Sequence, residues 1–360
     1  MRYTQLEVNL LAQTRKKVTI AVIPGDGIGP EVIAATLNVL DAVQEVDPAV
    51  QLNYVYAEAG LTAITKYGTS LPQHTIELMK NSVCCLKGPV TTPETPDSPR
   101  SAVIQIRSLF DLYANIRPIK ALPNVPALNP LIDMVIVREN TEGLYSGIEF
   151  QLNPDTAIAV RVISKPKCER IVEYAFKLAC NRNQKLTYVH KGNILKVTEN
   201  IFKDAIHKYS QEYPEVNVTE ARVDAMAMWL IRNPEDFDVV VTTNLFGDIL
   251  SDEAAQTIGG LGVAPGANIG KTYAMFEPIH GSAPHFAGKD IVNPIATILS
   301  AKMMLDWLGY ERGGTIIADA VTTALKDQNF LTFDLAPPNV TPVKCSTFGQ
   351  HIAQIILSNS

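Results

Sequence analysis

Short apolar runs of strand length recur along this chain, and nearly every chemically unusual residue stands just past the end of one. Val18–Ile23, Val83–Leu86, Met134–Val137, Leu186–Val189, Val239–Val241 and Tyr273–Phe276 are the clearest runs, and segments of helical periodicity alternate with them. Such alternation predicts an α/β fold with much parallel sheet. The first helix is expected over Glu31–Val46, which holds no Gly or Pro to break it and follows a Pro24-Gly25-Asp26-Gly27 turn. At 360 residues the chain is long for a single core, so two domains are expected.

Asp26 follows the first run, Lys87 and Thr92 the second, Arg138 and Glu139 the third. Lys191 and Asn193, then Asn244 and Asp248, then Glu277 and His280 follow the others. In open α/β sheets this is the edge where ligands bind. Strands end in polar loops in any case, but that rule does not account for a set made so consistently of acids, bases and carboxylate binders.

Composition excludes several classes. A formal net charge of −6 argues against nonspecific nucleic-acid binding, which needs a basic excess. No apolar run approaches transmembrane length, and residues 1–17 lack the apolar core of a signal peptide. The 5 cysteines are odd in number and form no CxxC pair, so neither a disulfide framework nor a zinc site is indicated. A reducing compartment and a cytoplasmic location are expected.

Asp248 and Asp252 lie four apart on the helix expected to open at Asn244-Leu245-Phe246-Gly247, so both carboxylates project from one face. Carboxylates that close repel unless a cation lies between them or one binds a proton. A hard divalent ion such as Mg²⁺ or Mn²⁺ fits, and so does a plain acidic first helical turn. Arg107, Arg117 and Arg138 stand near strand or helix ends, where a guanidinium fork matches a carboxylate; structural ion pairs are the alternative. Tyr145 and Lys191 are candidate proton carriers, since a lysine just beyond a buried strand can lose basicity by desolvation; either residue alone is more often a surface amphiphile. Asp224 is a third carboxylate at the end of an apolar stretch. Gly25-Asp26-Gly27-Ile28-Gly29 matches neither a dinucleotide fingerprint nor a P-loop and reads as a tight turn that lets a ligand approach backbone N–H groups. Pro118–Pro126 is proline-rich and reads as a connector, at a crossing between two domains.

Ile23–Glu31, Arg138–Gly143, Asn244–Asp252 and His280–Pro284 together resemble the β-decarboxylating dehydrogenases, which include isocitrate, homoisocitrate and 3-isopropylmalate dehydrogenases. The resemblance runs from about Val18 to the C-terminus, with the motifs in family order. It implies an isopropylmalate dehydrogenase-like two-domain α/β fold with a non-Rossmann cofactor site and a short β-arm for dimerisation. Residues 1–112 with 259–360 would form the larger, cofactor-side domain and residues 113–258 the smaller one. By the same resemblance Arg107, Arg117 and Arg138 bind the malate-type carboxylates, Lys191 is the base and Tyr145 the acid. Asp248 and Asp252 ligate Mg²⁺ or Mn²⁺ with Asp224 of a neighbouring subunit, so the sites of a homodimer are shared. Glu277, His280, Gly281, Ser282, Ala283, His285, Asn293 and Asp334 match cofactor-binding positions.

The substrate implied is a small 2-hydroxy di- or tricarboxylate. Lys87–Pro93 and Val343–Gly349 resemble the isocitrate enzymes, and Ser101 occupies the position of their γ-carboxylate-binding serine, with Thr92 and Asn193 further substrate contacts. Arg100, Ser101 and Lys87 favour a charged γ-group, whereas Val103 and Ile104 favour an apolar one. Isocitrate is the expected substrate, with homoisocitrate and isopropylmalate as alternatives. His285 and Phe286 match neither the acidic pair of NAD enzymes nor the Lys-Tyr of NADP enzymes, and Pro337 stands where a phosphate-binding arginine would be, so NAD is expected over NADP. A noncatalytic regulatory subunit would have lost catalytic residues that are all present here, and a metal hydrolase would leave Tyr145 and Lys191 without a role.

Overall fold

The computed structural model describes residues 17–95 and 97–359. The chain divides into two compact units, one formed by the chain up to Phe110 with Leu122–Pro126 and Gly259–Ser360, the other by Asp111–Ala121 and Ala127–Ile258. The first unit opens with β1 (Val18–Ile23), α1 (Gly29–Val46), β2 (Leu52–Tyr56), α2 (Leu61–Tyr67), α3 (Gln73–Lys80), β3 (Cys84–Lys87) and α4 (Ala102–Leu109). The second carries β4 (Ala114–Lys120), β5 (Asp133–Glu139), the hairpin β6 (Glu149–Asn153) and β7 (Thr156–Ala159), and α5 (Lys165–Cys180). It continues through β8 (Lys185–His190), α6 (Lys196–Glu212), β9 (Asn217–Arg222), α7 (Val223–Arg232), β10 (Val239–Thr242) and α8 (Asn244–Gln256). The chain then returns to the first unit for β11 (Pro265–Ile269), β12 (Ala274–Pro278), α9 (Ile295–Trp307), α10 (Glu311–Ala324) and α11 (Cys345–Ser358).

In the first unit the strand order is β2-β1-β3-β12-β11, parallel except for the β11–β12 pair. In the second it is β4-β5-β10-β8-β9, with β4 antiparallel to β5 and the rest parallel. The expected α/β architecture follows from the central strands, which are buried on both faces: β3 and β10 have no exposed residue, and near-continuous apolar runs are what a covered parallel strand requires. Of the strands in these two orders, those absent from the apolar-run pattern were β2, β4, β9 and β11. In β2 and β9 much of one face meets solvent, and β4 interrupts its apolar residues with Arg117 and Pro118. The expected connector is corrected accordingly: its first residues, Pro118–Lys120, complete β4, because their register against β5 outweighs the missing proline donor.

The β6–β7 hairpin is exposed along its whole length and carries Phe150, Leu152 and Ile158 into solvent. Met228 and Ile231 on α7 and Ile249 on α8 are also more than half exposed. No helix among the described residues is long and apolar enough to cross a membrane.

Candidate active site

The second unit gathers its charge where β4, β5 and α8 meet. Asn115 and Arg117 share a face of β4 because strand side chains alternate, and Asn115 lies directly across from Arg138 on β5. Arg138 is 1% exposed and Arg117 6%, so neither guanidinium is a surface charge. Arg138 donates Nε and Nη2 to Oδ1 of Asn244, at 3.0 and 2.8 Å, and Nη1 to Asp248. Arg117 donates Nε to Asn115 Oδ1 at 2.7 Å and Nη1 to Ser251 Oγ at 2.5 Å and Asp252 Oδ1 at 3.1 Å, while its Nη2 lies 3.3 Å from Asp248. The tyrosine hydroxyl of Tyr145 donates to the other oxygen of Asp248, and the Arg138 guanidinium lies 5.1 Å from the centre of the Tyr145 ring.

The aspartate pair therefore has the opposite charge it needs, supplied by two buried arginines. Burial and the neighbouring Asp248 still push the Asp252 carboxyl above its usual range, against the pull of Arg117. Gly247 is required by this packing: a Cβ there would fall 2.6 Å from Arg138 Cγ and 2.7 Å from its Cβ. Asn115 and Ser251 are residues of this cluster that sequence reasoning did not name, and Asn244, placed at the ligand edge, was given no role. The two-residue strand spacing of Asn115 and Arg117 was a usable signal for the first; nothing local marks the pairing of Asn244 with Arg138.

Lys191 and Asp224 pair with each other, Nζ to Oδ2 at 2.8 Å, just beyond the parallel strands β8 and β9. The ion pair and hydrogen bond from Lys191 lower the carboxyl of Asp224. Asn193 is exposed beside them. Asp248 and Asp252 offer the hard oxygens that Mg²⁺ or Mn²⁺ takes, but among the described residues no three His, Cys, Asp or Glu side chains converge, so Asp224 does not complete their set within one chain.

The first unit holds a second buried ion cluster. Glu277 accepts Lys87 Nζ at 2.7 Å, Arg107 Nη2 at 3.3 Å and Asn268 Nδ2 at 2.8 Å, and Arg107 Nε donates to Asn268 Oδ1 at 3.0 Å. Despite burial, which raises it, the two cations and Asn268 hold the Glu277 carboxyl down at about 2. Lys87 is 1% exposed and also donates to Gly88 O. This corrects the expectation that Lys87 helps select a charged γ-group: its ammonium is enclosed with Glu277. Ser101 is the residue before α4 but its hydroxyl does not cap that helix, and Val103, half-buried, lies one turn ahead of Arg107. Thr92 is half-buried in the loop after β3.

In the glycine turn part of the N–H set is taken by the chain itself: Asp26 N–H donates to Pro89 O at 2.8 Å, Ile28 N–H to Ser282 O at 2.9 Å and Gly29 N–H to Asp26 O at 2.9 Å. Gly25 and Gly27 have φ of 81° and 60°, and a Cβ on them would lie 2.1 Å from Pro89 O and 2.0 Å from Ser282 O, respectively. Asp26 accepts N–H groups of Leu61, Thr62 and Thr91 together with the Thr62 hydroxyl, tying three loops. Ser282 is bonded to Thr91 at 2.6 Å, and Asn293 donates to Asp334 at 3.0 Å. Burial holds His280 below its usual value, and Nδ1 lies 3.0 Å from Gly281 O. Gly281 and His285 are exposed, while Ala283 packs against the core around Ile28 and Val32.

Buried arginines beside paired carboxylates, with a tyrosine hydroxyl bonded to one of them, are groups of the kind that an α/β enzyme of organic acids needs. The family model of isocitrate/isopropylmalate dehydrogenase matches residues 19–352. A 3-isopropylmalate dehydrogenase of Methanothermobacter thermautotrophicus is 44% identical over 94% of this chain and 99% of its own length. An isocitrate/homoisocitrate dehydrogenase of Thermus thermophilus is 47% identical over 85% of this chain and 90% of its own. The crystal structure of isocitrate dehydrogenase from Methylococcus capsulatus superposes with a TM-score of 0.90 at 40% identity, covering 94% of this chain and 99% of that one. The chain belongs to the isocitrate/isopropylmalate dehydrogenase family, β-decarboxylating dehydrogenases that use a nicotinamide dinucleotide and a divalent metal.

Proposed function

We propose that this protein oxidatively decarboxylates isocitrate to 2-oxoglutarate and CO₂, with hydride passing to NAD. The observation that carries the chemistry is the cluster of Arg117, Arg138, Tyr145, Asp248 and Asp252. Arg117 and Arg138 hold malate-type carboxylates and Lys191 takes the hydroxyl proton, which lets hydride leave the carbinol carbon. Asp248 and Asp252 would hold a divalent ion, and such an ion would supply Lewis-acid stabilisation for the ketone and for the negative charge that CO₂ loss leaves. Tyr145 then supplies a proton to the enolate, its hydroxyl being held in the cluster by its bond to Asp248.

Ser101, with a hydroxyl not spent on capping α4, favours a γ-carboxylate and hence isocitrate or homoisocitrate. Isopropylmalate is the second reading: Val103 and Ile104 provide an apolar lining, and Lys87 is committed to Glu277. NAD is favoured over NADP by Pro337 and by the absence of a Lys-Tyr pair at His285–Phe286. Glu277, His280, Gly281, Ser282, Ala283, Asn293 and Asp334 form the cofactor side, Glu277 acting through Arg107.

The active form is a homodimer with shared sites. A two-stranded ribbon is marginal by itself, and the exposed apolar residues of β6–β7, α7 and α8 await a second copy. Asp224, which lies outside the Asp248–Asp252 pair, serves the second copy as third metal ligand, with Lys191 beside it. One steady-state panel tests the reading: isocitrate, homoisocitrate and isopropylmalate, each with NAD and NADP, with and without Mg²⁺. Turnover of isopropylmalate alone would overturn the substrate, full activity after exhaustive chelation the metal, and wild-type hydride transfer by Lys191→Met the base.

A further inference from the structure

We propose that His190 is a positioning residue for Lys191, its ring clamping the backbone turn from which the lysine projects. This rests on the reading of Lys191 as the base. His190 closes β8 and is 3% exposed, so its ring is inside while the next side chain leaves the strand on the other side. The Gly192 N–H donates back to His190 Nδ1 at 2.8 Å. From downstream the N–H groups of Ile194 and Leu195 both donate to Lys191 O, each at 3.0 Å. Lys191 is thus held on both flanks, and its Nζ meets Asp224.

The clamp explains the glycine. A Cβ at Gly192 would lie 2.9 Å from His190 Nδ1 and 3.2 Å from Cε1, so only glycine lets the chain fold back onto the ring. Because Nδ1 accepts, the proton of the neutral ring sits on Nε2. That nitrogen lies 2.7 Å from Oε1 of Glu220 on the neighbouring strand β9, within reach of its charge but not aligned as a hydrogen bond. Glu220 also meets Lys203 Nζ at 2.8 Å, a bond that lowers its carboxyl and keeps it anionic. The Tyr188 ring stacks on the imidazole at 5.6 Å. A chain of contacts therefore runs from Lys203 through Glu220 and His190 to the backbone that carries Lys191.

The two nitrogens separate this role from simple core filling. In His190→Asn the amide oxygen replaces Nδ1 and keeps the acceptor for Gly192. In His190→Gln the amide replaces Nε2, reaching Glu220 but leaving Gly192 unpaired. With whichever 2-hydroxy acid of the panel turns over, His190→Gln lowers kcat by about 10–100-fold at nearly constant KM, the scale of a slightly misplaced reacting group. The primary deuterium isotope effect on kcat rises in that variant because the proton and hydride steps become limiting. His190→Asn stays within about threefold of wild type, and Glu220→Gln, at a half-exposed position that does not endanger folding, falls between them. Wild-type kcat in both His190→Gln and Glu220→Gln, or equal losses in His190→Asn and His190→Gln, would overturn the clamp. Lys191→Met assayed alongside keeps the two ideas apart: if it still transfers hydride, the base reading fails; if it is dead while His190→Gln is normal, only the clamp fails.

Discussion

Glu277→Gln removes the anion that pairs with Lys87 and Arg107 in the interior of the first unit. The amide keeps the shape and leaves two cations without their counter-charge; Lys87, at 1% exposure, has no path to water. Breaking a buried pair from one side costs about 3–5 kcal/mol. The carboxyl itself allows an independent figure. Its descent from 4.5 to about 2, at about 1.4 kcal/mol per pH unit, is worth about 3 kcal/mol. A depressed carboxyl stabilises above its unfolded value and loses that contribution as pH falls through its folded value. The advantage of wild type over Glu277→Gln should therefore be about 3 kcal/mol at pH 7, about half that near pH 3, and gone by about pH 2. Denaturant unfolding of both proteins across that range measures it, following whichever transition reports the first unit. Lys87→Met added to Glu277→Gln should recover part of the loss by removing an orphaned charge. A difference below about 1 kcal/mol at pH 7, or one unchanged at pH 2, would refute the reasoning. KM should rise as well, since Arg107 loses one of its two anchors.

Gly247→Ala drives a methyl into Arg138 and should cost about 1–3 kcal/mol in denaturant unfolding while raising KM, as an overpacked site does; an unchanged KM would show that Arg138 does not hold substrate. Tyr145→Phe and Lys191→Met, each inactive alone, should on co-refolding recover about a quarter of wild-type activity. Half the dimers formed by random pairing are mixed, and each of those assembles one intact shared site. No recovery, with mixed dimers demonstrated by mass, would mean that the sites are not shared.

The α/β class was legible because parallel strands buried on both faces must be written as apolar runs, whatever surrounds them. The Asp248–Asp252 geometry was legible for a similar reason, a helix placing i and i+4 on one face. Local periodicity reaches about that far. It did not reveal that Lys87 is enclosed by Glu277, that the Gly25–Gly27 turn is packed on Pro89 O and Ser282 O, or that Asn115 and Asn244 aim two arginines at the aspartates. Each of those depends on groups distant in the chain brought within hydrogen-bond range, and a buried polar atom takes its nearest partner in space, not in sequence. So the residue types, in order, determined which chemistry the chain carries. Tertiary packing decided which charges remain for a ligand and which are already answered by the chain itself.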